Sequence, residues 1–139
     1  MLATDINKRS IFNFALANKN EKITQLLDFS REKGWGSSEV LRMNSRQWNI
    51  FHLAARIHNE KTIGLLLDFA REKDWGSPKL LKMDNDGMNI FHHASFNRNE
   101  EILHSLLNFA EEKGWSKDDL LRLDKEKGNI FHYAAMNAW

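Results

Sequence analysis

Residues 49–88 read NIFHLAARIHNEKTIGLLLDFAREKDWGSPKLLKMDNDGM, and residues 89–128 read NIFHHASFNRNEEILHSLLNFAEEKGWSKDDLLRLDKEKG. The two stretches align without a gap and are identical at 17 of 40 positions. Residues 10–48 repeat the pattern one residue shorter, residues 129–139 begin a further copy, and residues 1–9 align with the end of a preceding one. A unit this small cannot bury an apolar face alone, so the copies are expected to stack on their neighbours.

The amino-acid composition limits the fold classes that this chain can adopt. The chain has 139 residues, of which 42% are hydrophobic, one is proline and seven are glycine. This suits one folded domain, residues 1–139, and disfavours a sandwich of many strands and turns. Apolar residues recur with the period of an α-helix, as Ile63, Leu66, Leu67 and Ala70 do, so we expect an all-α chain.

Charge and cysteine content exclude several classes of site and partner. With no cysteine there is no disulfide, thiolate nucleophile or cysteine zinc site. Twenty Lys and Arg against nineteen Asp and Glu leave a net charge of +1, which is a poor match to nucleic acid or an anionic membrane. Residues 1–30 lack a secretion signal, and no stretch is long and apolar enough to span a bilayer. We expect a cytoplasmic protein, or one in the host cytosol if the Asn-, Lys- and Phe-rich composition marks a bacterial effector.

Each copy carries capping signals for three helices. The first helix is short, and the residues placed to cap it are Ser10, Asn49, Asn89 and Asn129. The second is longer, and the residues placed to cap it are Asn20, Asn59 and Asn99. A third, short helix is predicted at Ser77, which precedes Pro78, and at Ser116, which has Asp119 three residues on.

The segments NIFHLAA (49–55) and NIFHHAS (89–95), with Asp84 and Gly87 before the second and a leucine-rich helix after each, resemble the ankyrin repeat signature Asp-x-x-Gly-x-Thr-Pro-Leu-His-x-Ala-Ala. The resemblance covers essentially the whole chain and implies a helical solenoid of stacked ankyrin-like repeats. Asn, Ile and Phe replace the Thr, Pro and Leu, and Gln47 stands at a turn-glycine position. The period is 40 instead of the usual ~33, which we interpret as an elongated second helix plus an extra short helical turn per repeat. Armadillo-type repeats are the alternative, but they lack the His-x-Ala-Ala element.

The motif histidines are candidates for chemistry. His52, His92 and His132 recur every 40 residues. Neighbouring helices lie about 8–10 Å apart, whereas zinc needs ligand atoms at about 2 Å, so this ladder cannot converge on one ion. The resemblance implies instead that these side chains form hydrogen bonds that tie a repeat to its neighbour. Glu101 and His104 lack the second Glu-x-x-His pair that a di-iron site requires, so we expect no metal and no cofactor.

No catalytic residue can be nominated. The chain has no Gly-x-Ser-x-Gly element and neither of the common glycine-rich phosphate-binding motifs, so we expect no enzymatic activity. Trp35, Trp75 and Trp115 also recur every 40 residues. An aromatic ladder for a ligand is one interpretation, but strict recurrence favours packing of each ring against its own copy.

Positions that vary among copies while their flanks stay constant mark the candidate partner surface. They lie in the tip before the first helix and on that helix, which line the concave side in ankyrin-like repeats. The candidate partner-binding residues are Arg46, Trp48, Arg56, Ile57, Asn85, Asp86, Met88, Phe96 and Asn97. Trp48 and Met88 are large and apolar where the pattern requires no apolar residue, which is typical of interface anchors. The alternative is that they only cover their own hairpin tip.

These patterns predict a non-catalytic protein–protein interaction module that binds another protein through the concave face. The alternative is a structural spacer or scaffold segment of a longer protein whose activity lies elsewhere. We expect a longer parent protein because the copy that begins at residue 129 stops in mid-repeat. A further hypothesis is self-association through the open C-terminal end around Tyr133, Met136 and Trp139.

Overall fold

A computed structural model describes residues 20–57, 60–121, 128, 129 and 131. Every regular element in these residues is an α-helix. In chain order the helices are α1 Asn20–Lys33, α2 Ser37–Val40, α3 Ile50–Ile57, α4 Glu60–Glu72, α5 Ser77–Leu80, α6 Ile90–Ser95, α7 Glu100–Lys113 and α8 Lys117–Leu120. Outside the described residues lie the expectations made for residues 1–9, Ser10, Asn59, His132, Tyr133, Met136 and Trp139.

The helices repeat as the sequence predicts. A short first helix (α3, α6) is followed by a second helix of 13 or 14 residues (α1, α4, α7) and then by a third of four residues (α2, α5, α8). The all-α fold class, the elongated second helix and the extra helical turn in each repeat are therefore confirmed.

Asparagine side chains cap the N-termini of the first helices. Asn49 Oδ1 accepts the backbone N–H groups of Phe51 and His52 at 2.9 and 3.1 Å, and Asn89 does the same in the next copy. These N–H groups have no partner within the helix, so the side chain supplies the missing acceptor.

The third helices begin in two ways. Ser116 caps α8, because its Oγ accepts the Asp119 N–H at 3.1 Å. The expectation that Ser77 caps α5 is wrong, since Ser77 is the first helical residue and Gly76 precedes it. Pro78 therefore occupies the second residue of the helix, where its missing N–H costs no hydrogen bond.

The second helices end at a left-handed residue. Gly34 and Gly114 adopt φ of 69° and 67°, and Asp74 holds the equivalent place with φ of 54°. The next residue is a tryptophan whose N–H reaches back five residues, as Trp75 N does to Ala70 O at 3.0 Å. This closes the helix end and turns the indole back onto the helix.

The recurring tryptophans pack against phenylalanines of their own second helices. The ring centroids of Phe69 and Trp75 lie 5.6 Å apart at an interplanar angle of 65°, and the same edge-to-face arrangement joins Phe29 to Trp35 and Phe109 to Trp115. Trp75 is 3% exposed. The geometry supports packing, not a ligand ladder, as the role of these rings.

The core runs along the stack. Helix α3 packs mainly on α6, and the second helices pack in the order α1, α4, α7, while each first helix also contacts its own second helix. The largest fully buried side chains in this core are Phe51, Phe69, Phe91 and Phe109, each at most 1% exposed. Burying one such ring contributes roughly 1.5–3 kcal/mol before entropy is counted. Neighbouring copies therefore share one continuous apolar layer.

Ion pairs link the second helices on the surface. Arg31 binds Glu72 of the next copy, with Nη2 and Oε2 2.7 Å apart, and Arg71 binds Glu112 with Nε and Oε2 2.9 Å apart. Each guanidinium also lies over a phenylalanine of the following copy, as Arg71 does over Phe109 at 5.0 Å. The equivalent position in the third copy is Glu111, so the arginine series ends there.

Candidate functional site

A side-chain oxygen organises each hairpin turn before a first helix. Each turn is counted with the copy whose first helix it precedes, so residues 44–48 go with the second copy and residues 84–88 with the third. Asn44 Oδ1 accepts the N–H groups of Arg46 and Trp48 at 2.9 and 3.0 Å. Asp84 Oδ1 accepts those of Asp86 and Met88, both at 2.9 Å. Because each turn is closed by one acceptor, Trp48 and Met88 are held at equivalent places directly before their first helices.

The two hairpin tips are hydrogen-bonded to each other. Asn85 donates its backbone N–H to Arg46 O and its side-chain Nδ2 to Ser45 O, both at 3.1 Å. On the first helices, Asn97 Nδ2 donates to Ala55 O of the previous copy at 3.1 Å. Two candidate partner-binding residues, Asn85 and Asn97, therefore use their amides to join the second and third copies.

Arginine and aromatic side chains meet across the same boundary. Arg56 Cζ lies 4.3 Å from the ring centroid of Phe96 and 5.5 Å from that of Trp48. Arg46 Cζ lies 5.4 Å from the Trp48 ring. The flat guanidinium stacks well on aromatic faces. These four residues are called the arginine–aromatic cluster below.

The candidate residues differ in exposure. Ile57, at the end of α3, is 61% exposed, and Arg46 and Asp86 at the tips are also exposed. Trp48, Arg56, Met88 and Phe96 are half-buried. The sequence favours a patch of Trp48, Met88 and Phe96 flanked by Arg46 and Arg56. The ring and guanidinium contacts bring Trp48, Phe96 and the two arginines together.

Below Trp48 lies a buried polar pair that the sequence analysis missed. The Trp48 and His93 rings pack edge to face with centroids 4.8 Å apart, so the indole packs on the following copy and not only on its own tip. His93 Nε2 lies 2.9 Å from Asp84 Oδ2, and both side chains are fully buried. His93 thus connects the third hairpin turn to the arginine–aromatic cluster.

The protonation state of His93 follows from its neighbours. Arg56 Nη1 lies 3.1 Å from His93 Nδ1, and because a guanidinium only donates, Nδ1 must be the acceptor. The single ring proton is therefore on Nε2, which donates to Asp84. Burial lowers the pKa of His93, although the hydrogen bond to Asp84 opposes that shift, which agrees with a neutral ring.

Asp84 stays ionised in this environment. Burial alone raises its pKa, but hydrogen bonds from His93 and from the backbone N–H groups of Met88 and Asp86 outweigh that effect and lower the pKa to about 2. A buried carboxylate with three donors is well solvated by the protein. The Asp84–His93 pair has no hydroxyl or thiol on the far nitrogen of the ring, which faces Arg56, so it does not form a nucleophile-activating triad.

Both ring nitrogens of the motif histidines His52 and His92 form hydrogen bonds with backbone groups. His52 Nδ1 accepts the Asn49 N–H at 2.9 Å, and its Nε2 donates to Lys82 O at 2.8 Å. His92 Nδ1 likewise accepts the Asn89 N–H at 3.0 Å, but its Nε2 donates to Gly128 O at 3.1 Å, which is not the position equivalent to Lys82. Both carbonyl acceptors lie in the segment that leads from the third helix of a copy into the next copy. Each histidine thus ties its first helix to the junction between copies.

In the part of the chain that the structure describes, no group of three or more histidine, aspartate or glutamate residues is arranged to hold a metal ion. The same residues contain no helix of the length and apolarity needed to cross a membrane.

A family model described as "Ankyrin repeats (3 copies)" matches residues 12–118, well over half of the chain. The chain belongs to the ankyrin repeat family. Ankyrin repeats are generally protein–protein interaction modules, and the family is typically non-catalytic. No curated protein matches this ankyrin repeat chain.

The ankyrin copies differ at the two positions that form the buried pair. His93 stands beside the motif residue His92, and because adjacent helical residues do not share a face, the motif itself gives His93 no role. The equivalent of His93 in the second copy is Leu53, and the equivalent of Asp84 is Asn44. A histidine in place of leucine, combined with an acid in place of an amide, is the signal that points to a paired substitution.

Proposed function

We propose that this ankyrin repeat domain is a non-catalytic module that binds another protein through the hairpin tips and first helices of its second and third copies. The contact surface comprises Arg46, Trp48, Arg56, Ile57, Met88 and Phe96, and it is called the inner surface below. Asn85 and Asn97 shape this surface by joining the two copies, and Asp86 borders it.

The arginine–aromatic cluster is the observation that carries the proposal. Protein interfaces are enriched in tryptophan, arginine and phenylalanine, and most binding energy comes from a few such anchors. Trp48 and Phe96 are half-buried, and Arg56 lies against both rings. Large side chains that are already ordered lose little entropy on docking.

Exposure at the end of α3 supports the same surface. Ile57 is 61% exposed, although its neighbours Ala54 and Ala55 are fully buried. Ile57 follows Arg56 in the chain, and a large aliphatic side chain exposed at this place is one that a partner can cover.

Capture from a lysate with immobilised protein tests the proposal. Ile57→Glu places a charge at an exposed site and should leave the fold intact, whereas Trp48→Glu removes an anchor. Both variants should lose most captured proteins. Leu107→Glu is the matched control, because Leu107 is a large side chain on α7 that is 37% exposed and lies away from the inner surface.

The control separates binding from folding. Circular dichroism and a thermal melt should show Ile57→Glu as folded as the parent. If Ile57→Glu and Leu107→Glu retain the same captured proteins as the parent, partners do not use the inner surface. That result would favour the structural spacer, the alternative function for this domain.

A further inference from the structure

The charges around the inner surface are unevenly distributed. The stretch from residue 44 to residue 57 contains Arg46 and Arg56 and no acidic residue. In the next hairpin, Asp84 is fully buried against His93, so its carboxylate is not presented to a partner. Asp86 is the acidic residue that this hairpin exposes. The two hairpins and helix α3 therefore present two arginines and one exposed carboxylate.

Acidic side chains are instead engaged on the second helices. Asp28 and Glu72 flank Arg31, and Asp68 and Glu112 flank Arg71, at N···O distances of 2.7–2.9 Å. Among the described residues, Arg31 and Arg71 on the second helices are therefore matched by acidic partners, whereas Arg46 and Arg56 give the inner surface a local positive excess. Such a local excess of one sign attracts partners of the other.

The two arginines are held by their neighbours. Arg56 lies 4.3 Å from the Phe96 ring centroid and donates to His93 Nδ1 at 3.1 Å, while the exposed Arg46 lies over the Trp48 ring. A guanidinium has five N–H donors in a fixed plane, and that plane matches the two oxygens of a carboxylate. Restraint by the rings reduces the entropy lost when a carboxylate binds.

The Trp48 indole adds an independent observation. Among the described residues, Trp48 Nε1 is the buried side-chain nitrogen with no hydrogen-bond partner. A buried donor without an acceptor is unfavourable. Because both guanidiniums lie over the Trp48 ring, at 5.4 and 5.5 Å from its centroid, a ligand bound to them changes the surroundings of this indole.

We propose that the inner surface recognises an acidic segment of another protein. An aspartate or glutamate carboxylate of that segment binds between Arg46 and Arg56, and an adjacent apolar side chain packs on Ile57 and Phe96. This inference rests on the proposed function and specifies the chemistry of the partner. It requires both a carboxylate and an apolar neighbour, because either alone would leave part of the surface uncovered.

Selection of phage-displayed random 12-residue peptides on the immobilised protein tests the chemistry without a known partner. We expect enriched peptides to contain Asp or Glu next to a large apolar residue. Synthetic versions should bind Arg46→Glu at least tenfold more weakly than the parent. Affinity should also fall when NaCl is raised from 50 to 500 mM, because exposed charges are screened. In ¹⁵N spectra, the Trp48 Nε1–H resonance should shift on binding.

Arg98→Glu is the matched control, since Arg98 is an exposed arginine of the third copy outside the cluster. It should bind the same peptides with affinity within about twofold of the parent. Equal losses in Arg46→Glu and Arg98→Glu would overturn the inference, because they would indicate only a general charge effect. Enrichment of neutral or basic peptides, or no enrichment, would also overturn it.

The outcomes distinguish the two proposals. Neutral peptides whose binding is abolished by Ile57→Glu would refute the acidic segment and leave the protein-binding function standing. Peptides whose binding is unaffected by both Ile57→Glu and Arg46→Glu would refute both proposals.

Discussion

His93 donates its Nε2–H to Asp84 Oδ2 across 2.9 Å, and both side chains are fully buried. The second copy has Leu53 and Asn44 at the equivalent positions, and Asn44 closes its turn with the same two backbone hydrogen bonds. The chain therefore contains two versions of one junction, one with an amide and an apolar residue and one with a carboxylate and a histidine.

The two versions allow the coupling between residues 84 and 93 to be tested by substitution. His93→Leu leaves the Asp84 carboxylate buried without its side-chain donor and should lower the free energy of unfolding by about 3 kcal/mol. Asp84→Asn combined with His93→Leu reproduces the second copy's pair and should recover most of that loss. Urea unfolding measures both effects. If the single variant is as stable as the double variant, the pair is not coupled.

The free energy of unfolding should decrease as the pH is lowered, already at pH values above those at which carboxylates become protonated. Burial, with the nearby His93 ring, lowers the pKa of His52 from its ordinary 6.5 to about 4. The unfolded chain therefore takes up a proton below pH 6.5 that the folded chain refuses until about pH 4. Stability is complete above pH 6.5 and should fall by about 3 kcal/mol from this group by pH 4.

The pH effect can be assigned by substitution. His52→Gln removes the titrating ring, so the variant should start less stable at pH 7 and lose less between pH 7 and 4, as urea midpoints would show. Asp84, whose pKa is lowered to about 2, adds a further loss between pH 4 and 2 because only its unfolded form is protonated there. Parallel pH curves for parent and His52→Gln would contradict the assignment.

Much of the fold could be predicted because its determinants are local. The capping role of Asn49 depends on one side-chain oxygen and two nearby N–H groups, and the repeat period shows where those asparagines recur. Asp74 occupies the repeat position held by Gly34 and Gly114, and it adopts φ of 54°. Local chemistry of this kind is visible in one copy of the sequence.

The candidate site was harder to predict because its contacts cross between copies. Arg56, Trp48 and Phe96 were each predicted to be partner-binding residues, but the hydrogen bond from Arg56 to His93 depends on how two first helices pack. Periodicity identifies which face of a helix is buried, but it does not identify which side chains meet across a boundary. His93 was missed for this reason.

Two glycines with equally open surroundings should respond oppositely to alanine. A Cβ added to Gly64 in α4, or to Gly34 after α1, meets no atom within 4 Å, but Gly34 has φ of +69°. Gly64→Ala should stabilise by about 0.5–1 kcal/mol because helical alanine loses less entropy. Gly34→Ala should destabilise by about 1 kcal/mol through backbone strain. Thermal melts a few degrees apart in opposite directions would show this, and shifts of the same sign would refute it.

Arg31 and Arg71 on the second helices should stabilise the fold more through their contacts with phenylalanine rings than through their ion pairs. Glu112→Ala removes the exposed ion-pair partner of Arg71 and should change stability little. Arg71→Ala also removes the guanidinium from the Phe109 ring, 5.0 Å away, and should cost about 0.5–1 kcal/mol. Urea curves in 0.5 M NaCl should preserve the Arg71→Ala effect, since ring contact is less sensitive to salt. Equal effects for both variants would show that charge dominates.

The most direct test of the account is site-specific photo-crosslinking in a cell lysate. A photoreactive phenylalanine at Ile57, which is 61% exposed on the inner surface, is compared with one at Asp68 on α4, whose side chain is 68% exposed. The account predicts discrete adducts with another protein from position 57 and none from position 68. Adducts from position 68 with none from position 57 would contradict it.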